Sequence, residues 1–181
     1  MHARGKIAVA GATGRVGRHV VDVLEERGHH VVPMSRSSGV DVVTGEGLAD
    51  ALAGVATIID VATQPSPDED AATAFFTATT RNLQEVGARA GEQIIVVSII
   101  GIDRFTAGYY AAKLVEERAM LSGPIPVRIL RAAQFHELRV ERASDPAFPE
   151  SHLYETGALL PSPHATLAGP TFEEWLKSET N

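Results

Sequence analysis

The chain has 181 residues, 44% hydrophobic and 22% charged, with a net charge of -7 and no cysteine. That composition is ordinary for a globular protein and too apolar for a disordered one, and the length is that of one domain with a modest surplus. Disulfides, zinc–thiolate sites, iron–sulfur clusters and a cysteine nucleophile are excluded.

Acidic residues outnumber basic ones, 23 to 16, and no basic run is present, which argues against a nucleic-acid surface. No apolar stretch approaches the ~18 residues of a membrane span. Met1 to Lys6 leads into only four apolar residues before Gly11, too few for a signal-peptide core. The expectation is a soluble cytoplasmic protein that acts on a small molecule, with neither nucleic acid nor membrane as partner.

Along the chain, apolar runs alternate with amphipathic stretches. Ile7 to Ala10 is unbroken and apolar, as in a strand buried on both faces. Val16, Val20, Val23 and Leu24 line one face of a helix over Arg15–Arg27, which Gly28 stops. Val31–Met34 reads as a second strand, with Pro33 marking irregularity or a free N–H side. Val40–Val43 is expected to be a short third strand, Gly47–Leu52 a brief helix and Thr57–Val61 a fourth strand. Phe75, Phe76, Thr79, Leu83, Val86 and Ala90 fall at helical spacing in a long helix over Asp68–Ala90. Ile94–Ser98 is a fifth strand, Tyr110–Leu121 a helix and Val127–Leu130 a sixth strand. Such alternation builds a doubly wound parallel sheet with right-handed crossovers. After about Arg142 the pattern lapses into a proline-punctuated tail in which only Thr171–Lys177 reads as helical.

Gly11, Gly14 and Gly17 stand in the pattern G-x-x-G-x-x-G between the first strand and the first helix. Glycines there let the backbone turn tightly and approach a pyrophosphate, whose charge the helix N-terminus favours. A tight turn that binds nothing is the alternative. After the second strand, where an NAD site offers a carboxylate, the chain carries Ser35, Arg36, Ser37 and Ser38. A guanidinium flanked by hydroxyls suits a 2′-phosphate, so NADP is favoured over NAD. Arg15 adds a second positive charge. Asp41 remains a rival ribose partner, and Arg36 a solvated loop charge in the plainer reading.

Tyr109 and Lys113 lie four apart on one helix face. With three Tyr and three Lys in the chain, a chance pair at that spacing is expected only about 0.05 times. An ammonium near a phenol favours its ionised form, and such a tyrosine can protonate the alkoxide formed when hydride reaches a carbonyl. Ser98 stands ready to bond the same oxygen, and Lys113 to hold the nicotinamide ribose. The plainer reading makes Tyr109 and Tyr110 pocket walls and Lys113 a solvated charge.

Together, residues 11–17, Val97 to Asp103, Tyr109 to Lys113 and Leu130 to Glu137 resemble the atypical short-chain dehydrogenase/reductases, and within them the NmrA-like, NAD(P)-binding group. The likeness runs from about residue 5 to 140. It implies a Rossmann-type sheet in the order 3-2-1-4-5-6, with NADP across the C-terminal strand ends. It implies that Gly11, Thr13, Gly14, Arg15, Val16 and Gly17 form the phosphate loop, that Ser35 and Arg36 hold the 2′-phosphate, and that Val61, Ala62 and Thr63 lie along the cofactor. Ser98, Tyr109 and Lys113 match the catalytic set, Lys113 also touching the cofactor. The eleven residues between Ser98 and Tyr109 are slightly fewer than is usual in that group.

A metal is not expected: His29 and His30 sit away from the site edge, and no His pair shares a helix with a carboxylate. No G-x-S-x-G elbow of a serine hydrolase is present. His136 and Glu137 follow the sixth strand, as substrate contacts or as structural polar groups. The Phe75/Phe76 stripe is core, or a partner-helix face in a homodimer. Phe172–Leu176 reads as an amphipathic turn, expected to dock on the body rather than to recruit a partner.

These readings combine into an NADPH-dependent oxidoreductase that transfers hydride to a small carbonyl, quinone or similar acceptor. The alternative is a non-catalytic NADP-binding regulator that senses redox state. Residues 1–142 form the NAD(P)-binding domain and 143–181 a short remnant of a substrate-binding lobe. Members of the resembled group are longer, and the shortfall is expected between about residues 140 and 156.

Overall fold

The computed structural model describes residues 5–64, 68–89, 93–133 and 150–164. The expectations at His136, Glu137 and Thr171–Lys177 lie outside those residues.

Five parallel strands form one sheet in the order β2-β1-β3-β4-β5: β1 (Lys6–Ala10), β2 (His30–Met34), β3 (Val55–Asp60), β4 (Gln93–Ile99) and β5 (Val127–Ala132). Helices α1 (Arg15–Glu26), α2 (Leu48–Ala51), α3 (Glu69–Gly87) and α4 (Gly108–Leu121) connect them, and α5 (Ser151–Glu155) follows β5. The central strands are apolar because helices cover them. Ala8, Val9, Ala10, Ile58, Ile94 and Val96 are all buried, and the main core joins all of these but Val9 to Met34, Leu48, Leu52, Leu83 and Met120.

The ends of the elements follow local chemistry. Gly28, at φ 75, takes the left-handed turn that closes α1, where His29 N–H donates to Leu24 O. Asp68 caps α3 by accepting the Ala71 N–H at 2.7 Å. Pro33 is tolerated because β2 is an edge strand, paired only to β1.

One expected strand is not formed. Val40–Val43 is a turn-rich connection, so the sheet has five strands rather than six and lacks the outermost member of the order 3-2-1-4-5-6. Asp41 Oδ1 accepts the N–H groups of Val43 (2.7 Å) and Thr44 (3.2 Å), curling the segment on itself. Asn82 of α3 donates from Nδ2 to the carbonyls of Val42 (3.0 Å) and Val43 (2.7 Å), groups a strand neighbour would otherwise need.

The piece at 150–164 docks on the body at the α4 end. Glu150 accepts hydrogen bonds from Thr106 N–H (2.8 Å), Thr106 Oγ1 (2.7 Å) and Ala107 N–H (3.3 Å). Tyr154 stacks against Phe105 and Tyr110 with ring centroids 5.4 and 6.1 Å away. Among the described residues no helix is long and apolar enough to cross a membrane, and no group of His, Asp or Glu side chains could hold a metal ion.

Candidate functional site

Parallel strands bring all their C-terminal ends to one edge of the sheet. There the loop after β1 (Gly11–Gly14), the turn after β2 (Ser35–Ser38), the segment after β3 (Val61–Thr63), the end of β4 (Ser98) and the start of α4 (Tyr109) come together.

The glycine loop is built for close approach. A Cβ on Gly11 would lie 2.8 Å from Ala62 Cα, so this position joins the first loop to the segment after β3. A Cβ on Gly17 would collide with the Gly11 carbonyl oxygen, so only glycine lets α1 start so near β1. Gly14 N–H donates to Gly11 O at 2.9 Å. Thr13, Gly14 and Arg15 are exposed, and α1 begins with no side-chain cap and no acidic residue in its first turn. Its first N–H groups and positive end are therefore offered outward, as a pyrophosphate requires.

Beyond β2, Ser35, Ser37 and Ser38 form a linked hydroxyl cluster. Ser35 Oγ lies 2.9 Å from Ser37 Oγ, and Ser38 Oγ donates to Pro33 O at 3.1 Å. Arg36 opens a single 3-10 turn there, exposed and without an ion pair among the described residues. The Asp41 Oδ1 atom is taken by its own turn.

Behind the loop, Val61 N–H donates to Ala10 O (3.1 Å) and Ala62 N–H to Asp60 Oδ1 (3.0 Å), which fixes the base of Thr63. The Thr63 hydroxyl meets the Tyr109 phenol oxygen at 2.7 Å. The neighbouring phenol has a different setting. Tyr110 packs against Phe105 at 4.6 Å, and burial, with a hydrogen bond that it donates to Tyr154, holds it protonated well above the ordinary phenol range.

Lys113 is not a solvated charge. It is 4% exposed, its Nζ lies 4.6 Å from the centre of the Phe76 ring, and it pairs with Glu116 Oε2 at 2.5 Å. Tyr109 packs on the same Phe76 ring, centroids 5.6 Å apart. Glu116 and Asp60 are both 1% exposed. Burial pushes the Glu116 carboxyl up to about 8 against the pull of Lys113, with Asp60 adding to the rise. Burial also raises Asp60, opposed by Lys113 and by the Ala62 N–H. Two buried carboxyls thus share one buried ammonium.

Ser98 lies on the inward face of β4, in line with Ile94 and Val96. It is 2% exposed, and its Oγ has no hydrogen-bond partner among the described residues. The structure therefore brings Tyr109 to Thr63 rather than to Ser98.

Asp60 and Glu116 escaped the sequence reading. Their signals were a carboxylate ending an otherwise apolar strand and a glutamate on the same helical stripe as Ala112 and Met120. The cluster of Arg131 with Glu117 (3.0 and 2.7 Å) and Asp103 (2.6 Å), which ties β5 to α4, also went unread.

The family model described as the NAD dependent epimerase/dehydratase family matches residues 7–98, from β1 through β4. The chain belongs to that family. A nicotinamide dinucleotide fits the residues present, since the glycine cradle, the uncapped α1 terminus and the turn of half-buried Ser35 and exposed Arg36 provide the contacts it needs.

Among solved structures, MoeE5 in complex with UDP-glucose and NAD shares the fold at a TM-score of 0.62 and 22% identity, over 84% of this chain and 60% of that one. The UDP-N-acetylglucosamine 4-epimerase from Bacillus cereus matches at 0.60 and 23% identity, over 71% and 60%. The dTDP-4-dehydrorhamnose reductase from Bacillus anthracis, in complex with NADP, matches at 0.57 and 17%, over 72% and 54%. The chain thus spans less than two thirds of the length of these proteins. A search of curated proteins returns no match.

Proposed function

We propose that this protein is an NADPH-dependent oxidoreductase that reduces a small carbonyl, quinone or similar acceptor, with an NmrA-like dinucleotide-binding domain over residues 1–142 and a reduced substrate region over 143–181. The observation that carries the reading is the 2.7 Å bond between Tyr109 and Thr63. It sets a partly exposed phenol beside the segment that abuts the glycine loop.

When bound, the dinucleotide would supply the hydride. The chain's own residues would do the rest. As the acceptor's carbonyl carbon becomes saturated, its oxygen takes the Tyr109 proton and leaves a tyrosinate. Lys113, a buried cation packed on the same Phe76 ring, favours that negative charge. NADP over NAD is supported by the Ser35–Ser38 hydroxyls, by Arg36, which has no ion pair among the described residues, and by the engagement of Asp41 in its own turn.

A second reading, a dinucleotide-binding regulator without catalysis, is favoured by one observation: the Lys113 ammonium is already held by Glu116 at 2.5 Å. NADPH consumption against a panel of quinones, aldehydes and UDP-sugars, run beside Tyr109→Phe, separates the two. The reductase reading expects turnover that the variant loses by about 100-fold or more while still binding NADPH. Tight NADPH binding without oxidation by any acceptor would favour the regulator.

A further inference from the structure

We propose that Thr63, and not Ser98, is the hydroxyl that works with Tyr109, donating a hydrogen bond to the phenol oxygen as it loses its proton. The proposal rests on the reductase reading above and deepens it, giving Thr63 a part in the proton transfer itself.

Three observations carry it. First, the Thr63 Oγ1 to Tyr109 Oη distance is 2.7 Å, a full hydrogen bond between side chains 46 residues apart. Second, Thr63 stands on a rigid base. Val61 N–H is held by Ala10 O, Ala62 N–H by Asp60 Oδ1, and Ala62 packs so closely on Gly11 that no side chain fits between them. A donor fixed before the reaction needs no reorganisation when charge appears. Third, strand alternation turns Ser98 inward with Ile94 and Val96, and its buried oxygen has no partner among the described residues.

The direction of the bond follows from the chemistry. To protonate an alkoxide, Tyr109 must aim its own hydrogen at the acceptor, so its oxygen is left to accept one from Thr63. After transfer the tyrosinate keeps that donor, and the charge-assisted bond is stronger than the neutral one. The proton thus moves only from Tyr109 to the substrate oxygen, and the Thr63 hydrogen stays on Thr63.

Thr63→Val keeps the branched shape and removes the donor. In the full chain we expect it to lower kcat for NADPH oxidation about 10- to 100-fold, with KM for NADPH within about threefold of the wild type. Thr63→Ser should restore most of the loss, and Ser98→Ala should cost less than Thr63→Val. An independent readout is the ring carbon bearing the hydroxyl of Tyr109, observed by NMR in protein labelled at tyrosine and assigned with Tyr109→Phe. Its resonance should move in Thr63→Val, stay in Thr63→Ser and stay in Ser98→Ala. A resonance unmoved by Thr63→Val, or a larger kinetic loss from Ser98→Ala, overturns the proposal. A wild type that fails to oxidise NADPH whichever acceptor is supplied removes the reductase reading and the catalytic role of Thr63 with it, while the resonance still decides whether the two hydroxyls are paired.

Discussion

Arg36 is the residue on which cofactor choice turns. It is exposed, opens the turn after β2 and has no ion pair among the described residues, while the nearest acidic candidate, Asp41, is engaged by Val43 and Thr44. A charged bidentate contact to a 2′-phosphate is worth about 1.5–3 kcal/mol, so Arg36→Ala should weaken NADPH about 10- to 100-fold and NADH by less than about threefold. Fluorescence titration of the two dinucleotides measures this, and equal losses would remove the NADP preference. At this scale the site was legible where chemistry is written in short spacings. Gly11, Gly14 and Gly17 stand within seven residues, across the loop and the first turn of α1, and Tyr109 and Lys113 share a helix face because four residues complete about one turn. Thr63 meeting Tyr109 could not be read that way, since 46 residues separate them and only the sheet edge joins them.

Helices and strands succeeded or failed for a similar reason. The long periodic helix over Asp68–Ala90 is α3 (Glu69–Gly87), because its apolar positions and its Asp68 cap are local signals. Val40–Val43 looked like a strand from its valines. Its carbonyls are instead taken by Asn82, and no local pattern announces a partner on a helix 40 residues away. A second long-range clamp holds α3 to the α4–β5 turn: Gln84 donates from Nε2 to Met120 O at 2.8 Å and accepts the Ile125 N–H at Oε1 at 3.2 Å. Gln84→Ala leaves the Ile125 N–H unpaired and empties a buried position, so we expect a loss of about 2–4 kcal/mol by urea unfolding. A loss under about 0.5 kcal/mol would mean the turn re-forms without it.

For the whole molecule, the buried group of Lys113, Glu116 and Asp60 links stability to pH. The Glu116 carboxyl titrates near 8 in the folded protein because it is buried, against 4.5 when free, so the folded state binds the extra proton between those values. Stability is then fully present below about 4.5 and is lost as pH rises through about 8; raised Asp60 acts in the same direction. Glu116→Gln should flatten this slope, and with ~2–4 °C per kcal/mol for a chain of this size the gain in Tm at alkaline pH should be several degrees. Thermal scans across that range, wild type beside variant, check it. Identical slopes would show that Glu116 does not carry the linkage.

What the sequence determined by itself was the alternation of elements, the parallel sheet and the glycine loop, because each rests on periodicity or turn chemistry within about fifteen residues. The family match from residue 7 to 98 covers that same stretch of locally encoded structure. Tertiary structure alone decided that Lys113 is buried against Phe76 and Glu116, that Ser98 faces the core, and that Thr63 reaches Tyr109. Those outcomes depend on which face of each element the sheet covers and on which loops its edge brings together. Such pairings follow from packing across the whole chain rather than from the spacing of neighbours.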